Sequence, residues 1–169
     1  MTLYCDTTLQ YDTEFNNKTE KYLVLNFKKN MTSDECEKLY LNVKSVWMIG
    51  IIDDIFSKNE ELILSEINDN TLEYLHKVID YCNNNYNNKL NIPIPLNGPL
   101  NKHLNEFCIN FIDEFVKKPR KYFFNFVILC KILKCEDIMN LCCAKIAELI
   151  LDMSMSEMEE YFKIPNDET

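Results

Sequence analysis

The stretch that decides the fold is residues 137–151, which read DIMNLCCAKIAELIL. Its apolar residues recur at the spacing of an α-helix, so they share one side of it. This stripe consists of Met139, Cys143, Ile146, Ala147 and Ile150. Just beyond it, Ser154 stands three residues before Glu157. That capping box predicts a last helix, which ends near Phe162.

Two more helices are predicted upstream of this stretch. The first has apolar residues at helical spacing, namely Leu104, Phe107, Cys108, Phe111, Ile112 and Phe115. Pro119 ends it, and the next helix runs from Tyr122 to Leu133. Residues 83–101 are polar and contain three prolines, so they form a linker rather than a long helix or strand.

The N-terminal half alternates strand and helix patterns. Three short stretches rich in β-forming residues are predicted strands: residues 22–27, 35–43 and 62–64. Residues 45–56 are apolar on most sides, which predicts a helix buried by its neighbours. A second helix starts at Asn70, which caps it together with Glu73. Residues 1–20 form a tail or an extra strand. The predicted fold class is α+β, with a small sheet covered by helices and a helical module after it.

Composition excludes several classes of function. The formal net charge of the 169 residues is -9, which argues against a phosphate-binding surface and hence against nucleic acid. No apolar run approaches the ~18 residues of a membrane span. Only two glycines occur, so the glycine-rich loops that cradle phosphates are excluded. An acidic surface of this kind fits basic protein partners.

The cysteines and histidines do not form a recognisable site. Eight cysteines occur: Cys5, Cys36, Cys82, Cys108, Cys130, Cys135, Cys142 and Cys143. We expect free thiols in a cytoplasmic or nuclear protein, because no signal peptide is visible and most cysteines fall in apolar helices. No metal, cofactor or catalytic residue is predicted, since His76 and His103 lie in different helices and no zinc-type cysteine pairs occur. A cysteine-dependent enzyme remains the alternative of a different class, and a thiol of strongly lowered pKa would mark it.

The last third of the chain carries more apolar surface than four short helices can cover. Five residues cover most of a helical turn: Phe123, Phe124, Phe126, Val127 and Ile128. A large apolar patch on a soluble protein marks a partner site. We therefore expect a protein-interaction surface in this region.

Several local strings resemble the S-phase-kinase-associated adaptor family of SCF ubiquitin ligases, which has a BTB/POZ fold followed by C-terminal helices. Residues 77–82 resemble the family's Lys-Val-Ile-x-Trp-Cys, and residues 113–116 its Gln-Glu-Phe-Leu. The stretch from Phe123 to Thr169 is similar without gaps. The resemblance implies a BTB/POZ-like domain with a small mixed sheet at 21–133 and F-box-binding helices at 134–169. It also implies a non-catalytic adaptor between a cullin and an F-box protein.

The resemblance also implies site residues. The positions that match F-box-facing ones are Phe124, Val127, Met139, Cys143, Ile146, Ile150, Phe162 and Ile164. At the cullin-facing position, Lys131 and Ile132 replace the family's Asn-Tyr pair. The alternative is a divergent BTB/POZ scaffold, similar to elongin C or self-associating, which would form a homodimer when it has no partner.

Overall fold

The computed structural model describes residues 3–10, 21–28, 36–58, 62–64, 70–88 and 90–163. The chain divides into two compact units. The first unit comprises residues 1–89 and 128–136, and the second comprises residues 90–127 and 137–169. The division expected from the sequence, at 1–20, 21–133 and 134–169, remains a prediction.

The first unit contains a four-stranded sheet. Its strands are β1 (Leu3–Gln10), β2 (Tyr22–Lys28), β3 (Cys36–Asn42) and β4 (Leu62–Leu64), in the spatial order β3-β2-β1-β4. Leu23, Val24 and Leu25 of β2 are all buried. Since successive residues of a strand point to opposite faces, both faces of β2 are covered.

The α+β class is confirmed, because this sheet combines with several helices. Residues 3–10 form a strand, which was one of the two alternatives for the N-terminus. The expectation of a mixed sheet was wrong for the described strands, whose three pairings are all antiparallel. Antiparallel neighbours can be joined by short connections, whereas parallel neighbours need a long crossover.

The helix predicted at residues 45–56 is in fact two elements. A 3-10 helix spans Val43–Met48, and helix α1 spans Gly50–Lys58. Ile49 separates them with an extended backbone, at φ -116° and ψ 86°. The expected burial on most sides was also wrong for Trp47, whose side chain is 55% exposed.

Helix α2 (Thr71–Asn85) lies against β3, and the half-buried Asn83 near its end bonds to that strand. The Oδ1 atom of Asn83 accepts the backbone N–H of Asn42 at 2.7 Å, and its Nδ2 donates to the carbonyl of Tyr40 at 2.8 Å. These bonds tie α2 to the end of β3. Residues 83–85 therefore continue the helix, and the predicted linker begins after them.

The second unit confirms the four predicted C-terminal helices. After a 3-10 turn at Leu100–Lys102 come α3 (Glu106–Val116), α4 (Arg120–Ile132), α5 (Glu136–Ile150) and α6 (Met155–Phe162). The last five residues of α4, 128–132, belong to the first unit. Three aromatic rings form the core between α3 and α4. Phe115 stacks on Phe126 with ring centroids 3.8 Å apart, and Phe111 meets Phe126 edge-on.

Candidate partner-binding face

Helix α5 has one buried side and one side that the unit leaves partly open. Ile138, Leu141 and Cys142 are at most 1% exposed. Four apolar residues on the other side are half-buried or exposed: Met139, Cys143, Ile146 and Ile150. Their spacing of four, three and four residues places them on one line along the helix. We call this line the α5 stripe.

Aromatic contacts bring the end of α6 against the start of α4. The ring of Phe124 lies 5.9 Å from that of Tyr161 and 6.2 Å from that of Phe162, measured between centroids. Arg120 holds the same end, since its Nη1 donates to the carbonyl of Glu160 at 2.7 Å and its Nη2 to that of Lys163 at 2.9 Å. The arrangement leaves Phe162 48% exposed.

A partly buried charge network fixes α5 to its neighbours on the side away from the stripe. Lys145 Nζ lies 2.9 Å from Asp113 of α3 and 2.8 Å from Glu148. The other oxygen of Glu148 accepts the backbone N–H of Leu100 at 2.7 Å. The network therefore anchors three elements of the second unit to one another.

The network shifts the pKa values of both its α5 members. Burial by itself lowers the pKa of Lys145, but its hydrogen bonds to Glu148 and Asp113 outweigh this and raise the pKa overall. Burial raises the pKa of Glu148, but the hydrogen bonds from Lys145 and Leu100 lower it overall. Both groups therefore keep their charges over a wider pH range than usual.

A groove runs along one flank of α5. Its cavity volume is about 480 Å³, within the size range of binding pockets. One wall is the irregular segment 90–96, and the other consists of Asn140, Cys143, Ala144 and Ala147 of α5. Cys143 thus belongs both to the α5 stripe and to the groove.

Two buried cysteines of this region, Cys135 and Cys142, do not have the chemistry of a nucleophile. The seven cysteines whose side chains are described carry thiols rather than disulfides, and five of them are buried. Burial raises the pKa of Cys135 to about 12 and also raises that of Cys142. A thiol held protonated in this way is a poor nucleophile.

Side chains that could ligate a metal are not clustered in the described part of the chain. It contains no group of three or more His, Cys, Asp and Glu side chains that could hold a metal ion. None of the helices in the described ranges is both long and apolar enough to span a membrane.

The predicted F-box-facing residues fall in two places within the second unit. The α5 stripe contains four of them, and Phe124 lies beside Phe162. Val127 is half-buried on α4, and Ile164 lies outside the described residues. The predicted cullin-facing residues, Lys131 and Ile132, are exposed at the end of α4, which belongs to the first unit.

Sequence reasoning missed several residues around this face. Leu151 and Met155 are 68% and 73% exposed, and they lie in the chain at the junction of α5 and α6. The sequence contained a signal for Met155. It precedes Phe162 by seven residues, or two helical turns, which places both residues on one side of the last helix. Arg120 was also missed, since nothing in the sequence near it indicates that it reaches the end of α6.

The fold is α+β, and helix α5 presents a partly open apolar side. Residues 136–169, which include α5 and α6, match the family model described as Skp1 family, dimerisation domain. The match supports membership of that family, whose members are non-catalytic adaptors. None of the curated proteins matches the chain.

Proposed function

We propose that this protein is the adaptor subunit of an SCF-type cullin ubiquitin ligase, bridging a cullin scaffold and F-box substrate receptors. The observation that carries the proposal is the α5 stripe, which lies within the residues that match the Skp1 family model. Four apolar side chains in a line are suited to receive the apolar face of a partner helix. The chain would act by positioning other proteins and would need no cofactor.

The α5 stripe gives the sharpest test of this proposal. Ile146→Asp places a charge in the middle of the stripe, where a docked partner would leave it without water. We expect a purified F-box protein to co-elute with the wild-type chain and not with this variant. A loss of at least about 3 kcal/mol of binding energy, more than a hundredfold in Kd, is expected for a buried unpaired charge.

Asn110→Asp is the matched control, because it introduces the same charge at an exposed position of α3, outside the stripe. It should bind the F-box protein as the wild type does. If no F-box protein binds the wild-type chain, or if Ile146→Asp binds normally, the F-box assignment is wrong.

The cullin contact has a separate test, because its predicted residues lie on the first unit. Ile132 is 44% exposed and Ile128 is 52% exposed, and the two are neighbours one helical turn apart on α4. We expect Ile132→Asp to weaken cullin binding by roughly 2 kcal/mol while F-box binding persists. Isothermal titration with a cullin N-terminal region measures this. Asn87→Asp, at an exposed position after α2, is the control.

Self-association is the second candidate function. Two observations favour it: the α5 stripe is partly open, and residues 136–169 match a family model for a dimerisation domain. Light scattering on the isolated chain decides between the two, since a stable homodimer that refuses F-box proteins would favour a self-associating scaffold. A monomer, or a dimer that dissociates when an F-box protein is added, would favour the adaptor.

We propose a cytoplasmic and nuclear location for the protein, where a cullin ligase and its substrates would meet. A fluorescent fusion observed in cells tests this, and a signal confined to a membrane compartment would contradict it.

A further inference from the structure

The two walls of the groove beside α5 differ in the size of their side chains. On the α5 side, Ala144 and Ala147 leave space that larger residues would fill, and they are the only two alanines in the chain. On the other side, the lining includes the large apolar residues Ile92, Ile94 and Leu96. The open volume of about 480 Å³ therefore lies between a wall of small residues and a wall of large apolar ones.

The lining of the groove favours a neutral, apolar occupant. None of the described residues that line it is Lys, Arg, Asp, Glu or His. Pro93 and Pro95 have no backbone N–H, so that wall also offers fewer hydrogen-bond donors. A charged group entering the groove would lose water without gaining an ionic partner, whereas an apolar group would gain contacts with both walls.

The wall opposite α5 is restrained in the free chain. Pro93 and Pro95 restrict the backbone angle φ of the segment. Beyond it, the side chain of Leu100 is only 1% exposed, and its backbone N–H donates to Glu148 of α5 at 2.7 Å. Because the groove is already open and one end of its wall is anchored, an occupant would need little rearrangement of the chain in order to bind.

The groove adjoins the α5 stripe. Its α5 wall lies roughly a quarter of a turn around the helix from the stripe, and Cys143 belongs to both. The residues that match the family model for a dimerisation domain include the whole of α5. A partner helix is about 10 Å wide with its side chains, so the flank of one that docked on the stripe would lie over the groove.

We propose that the groove is a pocket for a large apolar side chain of the partner whose helix docks on the α5 stripe. This rests on the proposed function, under which that partner is an F-box protein. Ile94 lines the groove and is 96% exposed, and the bound partner would cover it. The pocket would select partners that carry a large apolar residue on the flank of the docked helix.

The variant Ile94→Ser tests the pocket on the wall that does not belong to α5. Because Ile94 is almost fully exposed in the free chain, its loss should leave the fold unchanged, which circular dichroism checks. We expect about a tenfold rise in the Kd for an F-box protein, since the complex would no longer bury this side chain. Ile128→Ser is the matched control. It makes the same change at a 52% exposed position that does not line the groove, and it should bind as the wild type does.

The two alanines provide a second measurement. Isotope labelling of the alanine methyl groups gives an NMR spectrum with two signals, both from the groove, because the chain has no other alanine. An unlabelled F-box protein should shift both signals. Toluene, the side-chain analogue of phenylalanine, should also shift them without any partner protein. Ala147→Phe fills the groove from the α5 side, so it should reduce the effect of toluene on the remaining signal of Ala144.

The outcomes separate the pocket from the proposed function. Weaker F-box binding by Ile94→Ser, together with alanine signals that shift in the complex, supports the pocket. If the wild type binds an F-box protein, either an unchanged Kd in Ile94→Ser or unmoved alanine signals overturns the pocket and leaves the adaptor function standing. If no F-box protein binds, the proposed function is wrong and so is this choice of partner. Toluene then decides whether the groove takes apolar groups at all, since unmoved alanine signals would refute that as well.

Discussion

Glu148 shows how one residue can hold several elements together. Its two carboxylate oxygens accept hydrogen bonds from Lys145 and from the backbone of Leu100, and Lys145 also reaches Asp113. From the sequence, Lys145 and Glu148 are an ordinary pair three residues apart on a solvated helix face. Only the fold places Asp113 and Leu100 beside this pair. In that arrangement the Lys145 side chain is 14% exposed. No local pattern could have predicted this network.

The network makes stability depend on pH in a defined direction. The pKa of Glu148 is lowered from its ordinary value of 4.5, so its stabilising effect is complete above 4.5 and is lost as the pH falls through the lowered value. The pKa of Lys145 is raised above 10.5, so its effect is complete below 10.5 and is lost as the pH rises through the raised value. The network is therefore fully effective at neutral pH.

The variant Glu148→Gln tests the direction in which stability changes with pH. Because charge-assisted hydrogen bonds become neutral ones, we expect a cost of about 1–2 kcal/mol in the free energy of unfolding at neutral pH. The gap between wild type and variant should shrink as the pH is lowered well below 4.5, where the wild-type carboxylate is protonated. Urea unfolding at the two pH values measures it. A gap that stays constant with pH would show that Glu148 does not act through its charge.

Helix ends show where a sequence motif suffices and where it does not. Both capping boxes were predicted from the same spacing. At Ser154 the box is present, with the backbone N–H of Ser154 donating to Glu157 at 2.8 Å and that of Glu157 donating to the Ser154 Oγ at 3.4 Å. At Asn70 the prediction was wrong, because the side chain does not cap α2.

Backbone conformation explains the difference. Ser154 is extended, at φ -67° and ψ 162°, which is the region that aims a capping side chain at the first turn. Asn70 has φ -89° and ψ 0°, outside that region. The spacing of Asn70 and Glu73 carries no information about this angle, so it cannot predict that the side-chain cap is missing.

Helix α6 has only eight residues and should depend strongly on its cap. We expect Ser154→Ala to destabilise it by about 1 kcal/mol. Because Phe162 lies at its end, F-box binding should weaken as well. Ser156→Ala is the control, since it makes the same change at an exposed position within the helix. Hydrogen exchange of the α6 amides measures the effect, and equal exchange in the two variants would contradict the role of the cap.

At the scale of the whole molecule, the first unit is completed by a chain segment that lies between the two halves of the second unit in the sequence. Residues 128–136 join residues 1–89. The backbone N–H groups of Gly50 and Ile51 donate to the carbonyls of Lys134 and Leu133 at 3.3 and 3.1 Å. A Cβ atom on Gly50 would lie 2.9 Å from the Cβ of Lys134, so this approach requires glycine.

Gly50→Ala should therefore destabilise the first unit by roughly 1–3 kcal/mol, because the two backbones must separate. Lys134 has φ +55°, a left-handed conformation that glycine adopts freely. Lys134→Gly removes the Cβ that causes the clash, so the double variant should recover part of the loss. Thermal unfolding of the single and double variants measures this, and a cost that Lys134→Gly does not reduce would locate the strain elsewhere.

The sequence by itself determined the α+β class, the four C-terminal helices, the cap at Ser154 and the stripe on α5. These features follow from local periodicity and local hydrogen bonds, which a single chain segment encodes. Only the tertiary structure decided the antiparallel pairings, the break at Ile49, the Lys145 network, the return of residues 128–136 and the groove beside Cys143. Each of these depends on contacts between residues far apart in the chain, and the spacing of side chains within one segment carries no information about them.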